Sequence, residues 1–516
     1  MIKNGFLAGL ALLVASPAVA QDSPPEKSDF RQMSDEDLRG QFQNFINRGF
    51  RNPCGLEAPL LEEMRRRRDS VELERGHLLA QIYCAAEHDD AATGTKLMKR
   101  LERMGPAPIL GPVALYFALV LNDGPEAMKR LRQVESAGGL QTISREHLGT
   151  AMRVVRRGGG EVELDEFLYG VATKSTFARY GSENQAMIAF SAIRHAARVK
   201  DTSRIEDLLQ YYDDPNGLLE ILADRTFEPA WPLVEQHVGE NLVKVSDAHV
   251  KSTAENLAEK PEDRDRLSAY SYALLFAGRF QEAADLAQGW LPADGSLKNL
   301  PEGNAWALNI EAYALDALGR PGEADKVFDD LATLPADQYP WVVNFVINRA
   351  SRLVGYGRWE EGLVATDLAR SAAEKYGTTY AKLLIARDRT CALHNLGRTA
   401  EAEVEAKFLV ENFDESAPVA ASGLLCLGRK DEVEQRIARA FKDPIARLGF
   451  VDELQDERFS LFYTPSVLPD AREVVLANDD LRETALRYVR LLPDSLVPIA
   501  YLRRQELAQA HGSPGG

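Results

Sequence analysis

Between Glu262 and Lys442 one phrase recurs five times: a leucine, an alanine-rich run, then Gly-Arg, at Gly278-Arg279, Gly319-Arg320, Gly357-Arg358, Gly397-Arg398 and Gly428-Arg429. Successive glycines stand 41, 38, 40 and 31 residues apart. A unit of that length cannot bury its apolar face alone and does so by stacking on the next copy, which predicts stacked helical hairpins instead of a closed globular domain. Four residues before each glycine stands Leu274, Leu315, Leu353, Leu393 or Leu424, and seven before it a small residue, Ser271, Ala312, Ala350, Thr390 or Ala421. Five after it come Ala283, Ala324, Gly362, Ala402 and Val433. A leucine three residues on from a small residue sets a knob beside a gap on one helix face, so a partner helix can approach closely there. The glycine ends the first helix, because a residue without Cβ enters the left-handed region at little cost.

Residues 262–442 resemble tetratricopeptide repeats. The resemblance rests best on Ala312, Gly319, Ala324 and Phe328, with Gly278, Ala283 and Pro292 in the first unit and Trp359 at the aromatic position of the third. Two departures stand out: spacings above the family's roughly 34 residues, and Arg349 and Arg389 where the family carries apolar side chains. The resemblance implies an all-α fold, a right-handed α-solenoid with a divergent N-terminal half and a repeat-like C-terminal half. It also implies a concave wall of first helices whose inner positions include Tyr272, Trp306, Asn309, Tyr313, Asn344 and Arg387. Tyr272, Trp306 and Tyr313 would form an aromatic patch of the kind that dominates interface energies. Their other reading is half-buried packing. The Lys/Asn pattern by which some family members clamp a C-terminal carboxylate is not met.

Outside the repeats the chain divides into segments. Residues 1–20 read as a secretory signal, with Lys3, an apolar run from Phe6 to Ala15 and Ala18-Val19-Ala20 before Gln21. Residues 21–52 read as a tether and first helix, and 53–250 as divergent hairpins whose turn signals at His88, Asp123 and Gly158 are 35 residues apart. Residues 251–442 hold the repeats, after a charged boundary at 251–266, and 443–510 form a C-terminal helical cap. A six-residue echo, Leu222-x-Asp224-x-x-Phe227 and Leu454-x-Asp456-x-x-Phe459, follows each run of hairpins. It is read as two elements that each cover an exposed end. No sustained period-2 alternation occurs, so sheet content should be negligible.

The 78 acidic and 61 basic residues give a net charge of −17, which repels phosphate backbones and disfavours nucleic acid as a partner. No stretch after the signal is long and apolar enough to span a membrane. Export to the periplasm or beyond would place the four cysteines in an oxidising compartment, where Cys54 with Cys84 and Cys391 with Cys426 could bridge; buried free thiols are the alternative. The eight histidines show no metal-ligand spacing, and no nucleophile elbow or phosphate loop is present, so neither metal nor cofactor is expected. Three function classes remain. The first is a non-enzymatic periplasmic protein binding a protein or peptide in its groove. The second is a structural subunit of a cell-envelope assembly or polysaccharide-export machine, and the last a peptidoglycan-acting enzyme.

Overall fold

A computed structural model of the chain describes residues 30–48, 52–68, 70–105, 110–291, 295–443, 446–460 and 466–510. The expected signal segment lies outside them. Among the described residues every regular element is a helix, and the one departure is an isolated antiparallel bridge between Asp224 and Val489. The fold is all-α and solenoid-like, with neighbouring helices packed in succession. It falls into two compact units, one ending at Val199 and one beginning at Lys200.

The first unit contains α1 (Asp35–Arg48), α2 (Ala58–Arg67), α3 (Val71–Glu87), α4 (Ala91–Arg103), α5 (Gly111–Val120), α6 (Gly124–Ala137), α7 (Arg145–Arg157), α8 (Glu161–Ala172) and α9 (Ser182–Val199). Consecutive helices touch, and so do α3 and α5, α5 and α7, and α7 and α9. Contact with the next helix and the next but one is what stacked hairpins require. The turns are written in short polar residues. Asp89 and Asn122 take left-handed backbone, and the following Asp90 and Asp123 cap α4 and α6 by accepting from the amides of Thr93 and Glu126. A side-chain oxygen there satisfies an amide that the helix leaves unpaired.

The second unit opens with α10 (Thr202–Leu209), α11 (Pro215–Ala223), α12 (Trp231–Val238) and α13 (Val243–Glu259). The boundary expected at 251–266 lies inside this unit, because α13 runs through Lys251 and packs against the next helix. Five hairpins follow: α14 (Arg264–Phe276) with α15 (Phe280–Gly289), α16 (Glu302–Ala317) with α17 (Pro321–Ala332), and α18 (Val342–Gly355) with α19 (Trp359–Tyr376). The last two are α20 (Thr379–Asn395) with α21 (Thr399–Glu411) and α22 (Ala417–Cys426) with α23 (Lys430–Ala440). Each turn glycine has φ between +67° and +74°. In every turn the arginine amide donates back to the carbonyl of the recurrent leucine, as Arg279 does to Leu274 at 2.9 Å and Arg398 to Leu393 at 2.8 Å. These bonds close a Schellman motif, which uses up carbonyls the helix end would leave unpaired. The small residues are where close packing needs them: Ser271, Ala312, Ala350, Thr390 and Ala421 have no exposed surface, nor do Ala283, Ala324, Ala402 and Val433.

Arg349 and Arg389, which break the apolar pattern, are paired with second-helix carboxylates. Arg349 Nε meets Asp329 at 2.7 Å, while Arg389 reaches Glu405 at 3.0 Å, Asp367 at 2.5 Å and the Thr366 hydroxyl at 2.9 Å.

The C-terminal helices α24 (Phe450–Glu453), α25 (Ala471–Ala477), α26 (Asp479–Ala485) and α27 (Ile499–Ala510) do more than end the stack. The two echo segments share a local structure, since Asp224 accepts from the Thr226 amide and Asp456 from the Arg458 amide, and Phe227 and Phe459 are both buried. They do not cover separate ends, which corrects the sequence reading. Helix α11 packs on α24, and Ala223 shares one buried cluster with Leu454, Ala471 and Val489. The backbone joins here as well, with Arg225 donating to the Tyr488 carbonyl at 2.9 Å and Arg490 to that of Ala223 at 2.7 Å. The end of the second unit therefore returns to its beginning.

Candidate functional site

The inner positions expected to meet a partner lie on the first helices α16, α14, α18 and α20, and they fall into different surroundings. Trp306 is half-buried. Its ring stands edge-on to Phe345 with centroids 4.9 Å apart and packs against a cluster that includes Leu257, Ala305 and Leu331. Asn309 is only 1% exposed and accepts a hydrogen bond from Asn348 Nδ2 at 2.9 Å. Both side chains are therefore engaged in packing one hairpin on the next. Asn344 sits half-buried in the first turns of α18.

Arg387 is committed to its neighbours. Its Nε donates to Asp388 at 2.8 Å and its Nη2 to the Ser351 hydroxyl at 3.2 Å, while that hydroxyl donates to Asp388 at 2.5 Å. Asp388 has no exposed surface, and burial raises its carboxyl above the ordinary range against the pull of Arg387. A second ion network ties the hairpins from inside: Arg352, 2% exposed, holds Asp316 at 2.6 Å and also pairs with Asp325, to which Arg358 is bound at 2.7 Å. Buried charges persist when paired and hydrogen-bonded in this way.

Tyr272 and Tyr313 are the predicted residues that remain together on one surface. Both are half-buried against the cluster of Ala273, Leu274, Phe280 and Ile310, and Tyr313 stands edge-on to Phe328 at 5.8 Å. Burial pushes the Tyr272 hydroxyl up to about 12, and burial together with Tyr272 and Asp316 raises that of Tyr313 further. Ala500 and Leu507 of α27 pack on the same cluster. A helix of the chain itself thus shares the apolar cluster with the two tyrosines. The sequence places a helical cap over 443–510 but not the destination of its last helix; the signal available is the seven-residue spacing of Ala500 and Leu507, which puts both on one face.

Cys54 is joined to Cys84 with S–S 2.09 Å, and Cys391 to Cys426 with S–S 2.00 Å. His88 Nδ1 lies 3.3 Å from Cys54 Sγ and 4.0 Å from Cys84 Sγ, the arrangement nearest to a metal-ligand set among the described residues. With the sulfurs bonded to each other they offer no thiolate to a metal. A cavity of about 240 Å³ between α19, α20 and α21 is walled by Arg370, Lys382, Ile385, Glu405 and Phe408, and its Arg370 and Glu405 pair across it at 2.5 Å. Among the described residues no helix is long and apolar enough to cross a membrane. No family model matches the chain, and no curated protein matches it.

Proposed function

We propose that the chain is an exported, non-enzymatic binding protein with tetratricopeptide-like repeats, which holds a peptide or protein segment against the inner wall of its first helices and acts as a periplasmic scaffold. One observation carries this reading: helix α27 packs through Ala500 and Leu507 on the same apolar cluster that Tyr272 and Tyr313 border, which is the contact mode of a helix-in-groove receptor. The net charge of −17 sets nucleic acid aside as the partner. The test is site-specific photocrosslinking in the cell envelope. A photoreactive residue at Asn344, on the inner row, should capture a discrete partner, whereas one at Val404, 63% exposed on the second helix α21, should not. Capture from Val404 alone would overturn the groove reading.

A second reading, a structural subunit of an envelope assembly, draws on the same helix. If the inner wall serves only its own C-terminal segment, the hairpins act as a spacer. Deleting the gene should then break the assembly while inner-row crosslinks stay empty.

A further inference from the structure

Helix α27 is held at three points, two at the turn of the first hairpin and one on the apolar cluster beside it. At Gly278 an added Cβ would stand 2.8 Å from Arg503 Cδ and 3.1 Å from Ala500 Cα, so the helix backbone touches the turn at Ala500. Arg503 Nη1 donates at 2.7 Å to the carbonyl of Ala277, the C-cap of α14, where unpaired carbonyls and the helix dipole favour a cation. Leu507 completes the seat on the cluster of Val250, Leu274 and Ile310. Positions 500, 503 and 507 share one face of a helix.

The seat is shallow. None of the α27 side chains is fully buried, whereas every repeat helix from α14 to α23 buries several. A helix with so little buried surface opens at lower free energy than the stack it lies on. Its tether stays fastened: Asn241 Nδ2 holds the Val497 carbonyl at 2.9 Å, just ahead of the helix.

We infer that α27 is a displaceable occupant of a seat formed by the Gly278 turn and the apolar cluster beside it, and that the partner taken there is an amphipathic helix presenting a small residue, an arginine and a leucine at the spacing of Ala500, Arg503 and Leu507. This deepens the binding reading above and rests on it. The seat selects for a helix because the turn at Gly278 admits backbone at contact distance, and for a cation because the end of α14 faces it. Release of α27 uncovers its seat on the cluster that Tyr272 and Tyr313 border, so the protein with α27 seated is the closed form.

The test uses the full chain and a fluorescein-labelled peptide of residues 497–510. Two variants unseat α27 from opposite ends, Ala500→Glu and Leu507→Glu, so that a folding defect in one leaves the other to decide. In both, amide exchange should speed up across 499–510, and the wild-type peptide should bind at least tenfold more tightly than it does to the unaltered chain. The inference is overturned if 499–510 exchanges freely yet neither variant binds the peptide, or if exchange there stays as slow as in the unaltered chain. The two proposals fail separately. Empty crosslinks from Asn344 alongside peptide binding would leave a helix seat with no outside partner, while a crosslinked partner without peptide binding would leave a groove that takes something other than this helix.

Discussion

Arg352 shows how much a single side chain can matter in this chain. Replacing it with alanine leaves Asp316, 5% exposed, without its cation, and should cost about 3–5 kcal/mol in urea unfolding. Changing Asp316 to leucine and Arg352 to methionine together should cost less than the sum of the two single changes, because neither charge is then stranded. Glu311 offers a pH test. Burial pushes its carboxyl from an ordinary 4.5 up to about 7, with Gln288 Nε2 donating to it at 2.7 and 2.9 Å. Between those values the folded chain holds a proton that the unfolded chain has lost, so stability falls as pH rises from about 4.5 to 7 and stays low above. Glu311→Gln should therefore gain stability over the parent on going from pH 5 to pH 8, by roughly 1–3 kcal/mol. An advantage independent of pH would show that the carboxyl is not shifted. At this scale the sequence told which face a residue occupied but not how deeply. The repeat register put Trp306 on the inner row; the depth depends on Phe345, one hairpin later, whose ring covers it. Trp306→Ala should accordingly lower the melting temperature, at a cost of about 2–4 kcal/mol.

At the scale of the element, the turns were the legible part, because a positive φ leaves a chemical mark. Five glycines at a fixed distance from a leucine can be read from the letters alone, and the Schellman bonds explain why both residues recur. The letters also held a signal that went unread. A glutamate stands three residues after each turn arginine, and Arg320 with Glu323, Arg358 with Glu361 and Arg398 with Glu401 form two-pronged pairs across the start of the second helix. Being exposed, each contributes little to stability. The turns also make a differential prediction. Gly319 has nothing near an added Cβ, so Gly319→Ala should cost only the left-handed backbone, about 1–2 kcal/mol. Gly278→Ala adds the collision with α27 and should cost more, with faster exchange in 499–510. Equal costs would mean that α27 does not press on the turn.

For the second unit as a whole, periodicity could announce the stack but not its closure, since contact between residues more than 250 apart leaves no spacing pattern. The echo around Asp224 and Asp456 was visible, yet its letters encode a capped turn and not what that turn meets. Closure changes how the unit should respond to damage. In an open stack a local defect stays between neighbours, whereas here α11 near the start of the unit shares one interface with α24 and the 488–490 backbone near its end. Trp231 sits at that interface: its indole N–H donates to the Ile221 carbonyl at 2.9 Å, and the guanidinium groups of Arg225 and Arg490 lie 5.5 and 4.7 Å from its ring centroid. Arg490 also pairs with Glu235 at 2.5 Å. Trp231→Ala removes the ring both arginines stack on, so amide exchange should speed up at 221–227 and at 485–497 together, although the two segments are far apart in the chain. The middle hairpins α18 to α21 should keep most of their protection, because each helix there packs on its own neighbours and the C-terminal segment meets them away from this interface, at Val467 and Leu468. Faster exchange across all five hairpins would instead show that the stack depends on its closure for stability. Change at 221–227 alone would show that the C-terminal segment is anchored by the backbone pairing of Arg225 and Arg490 without need of the ring.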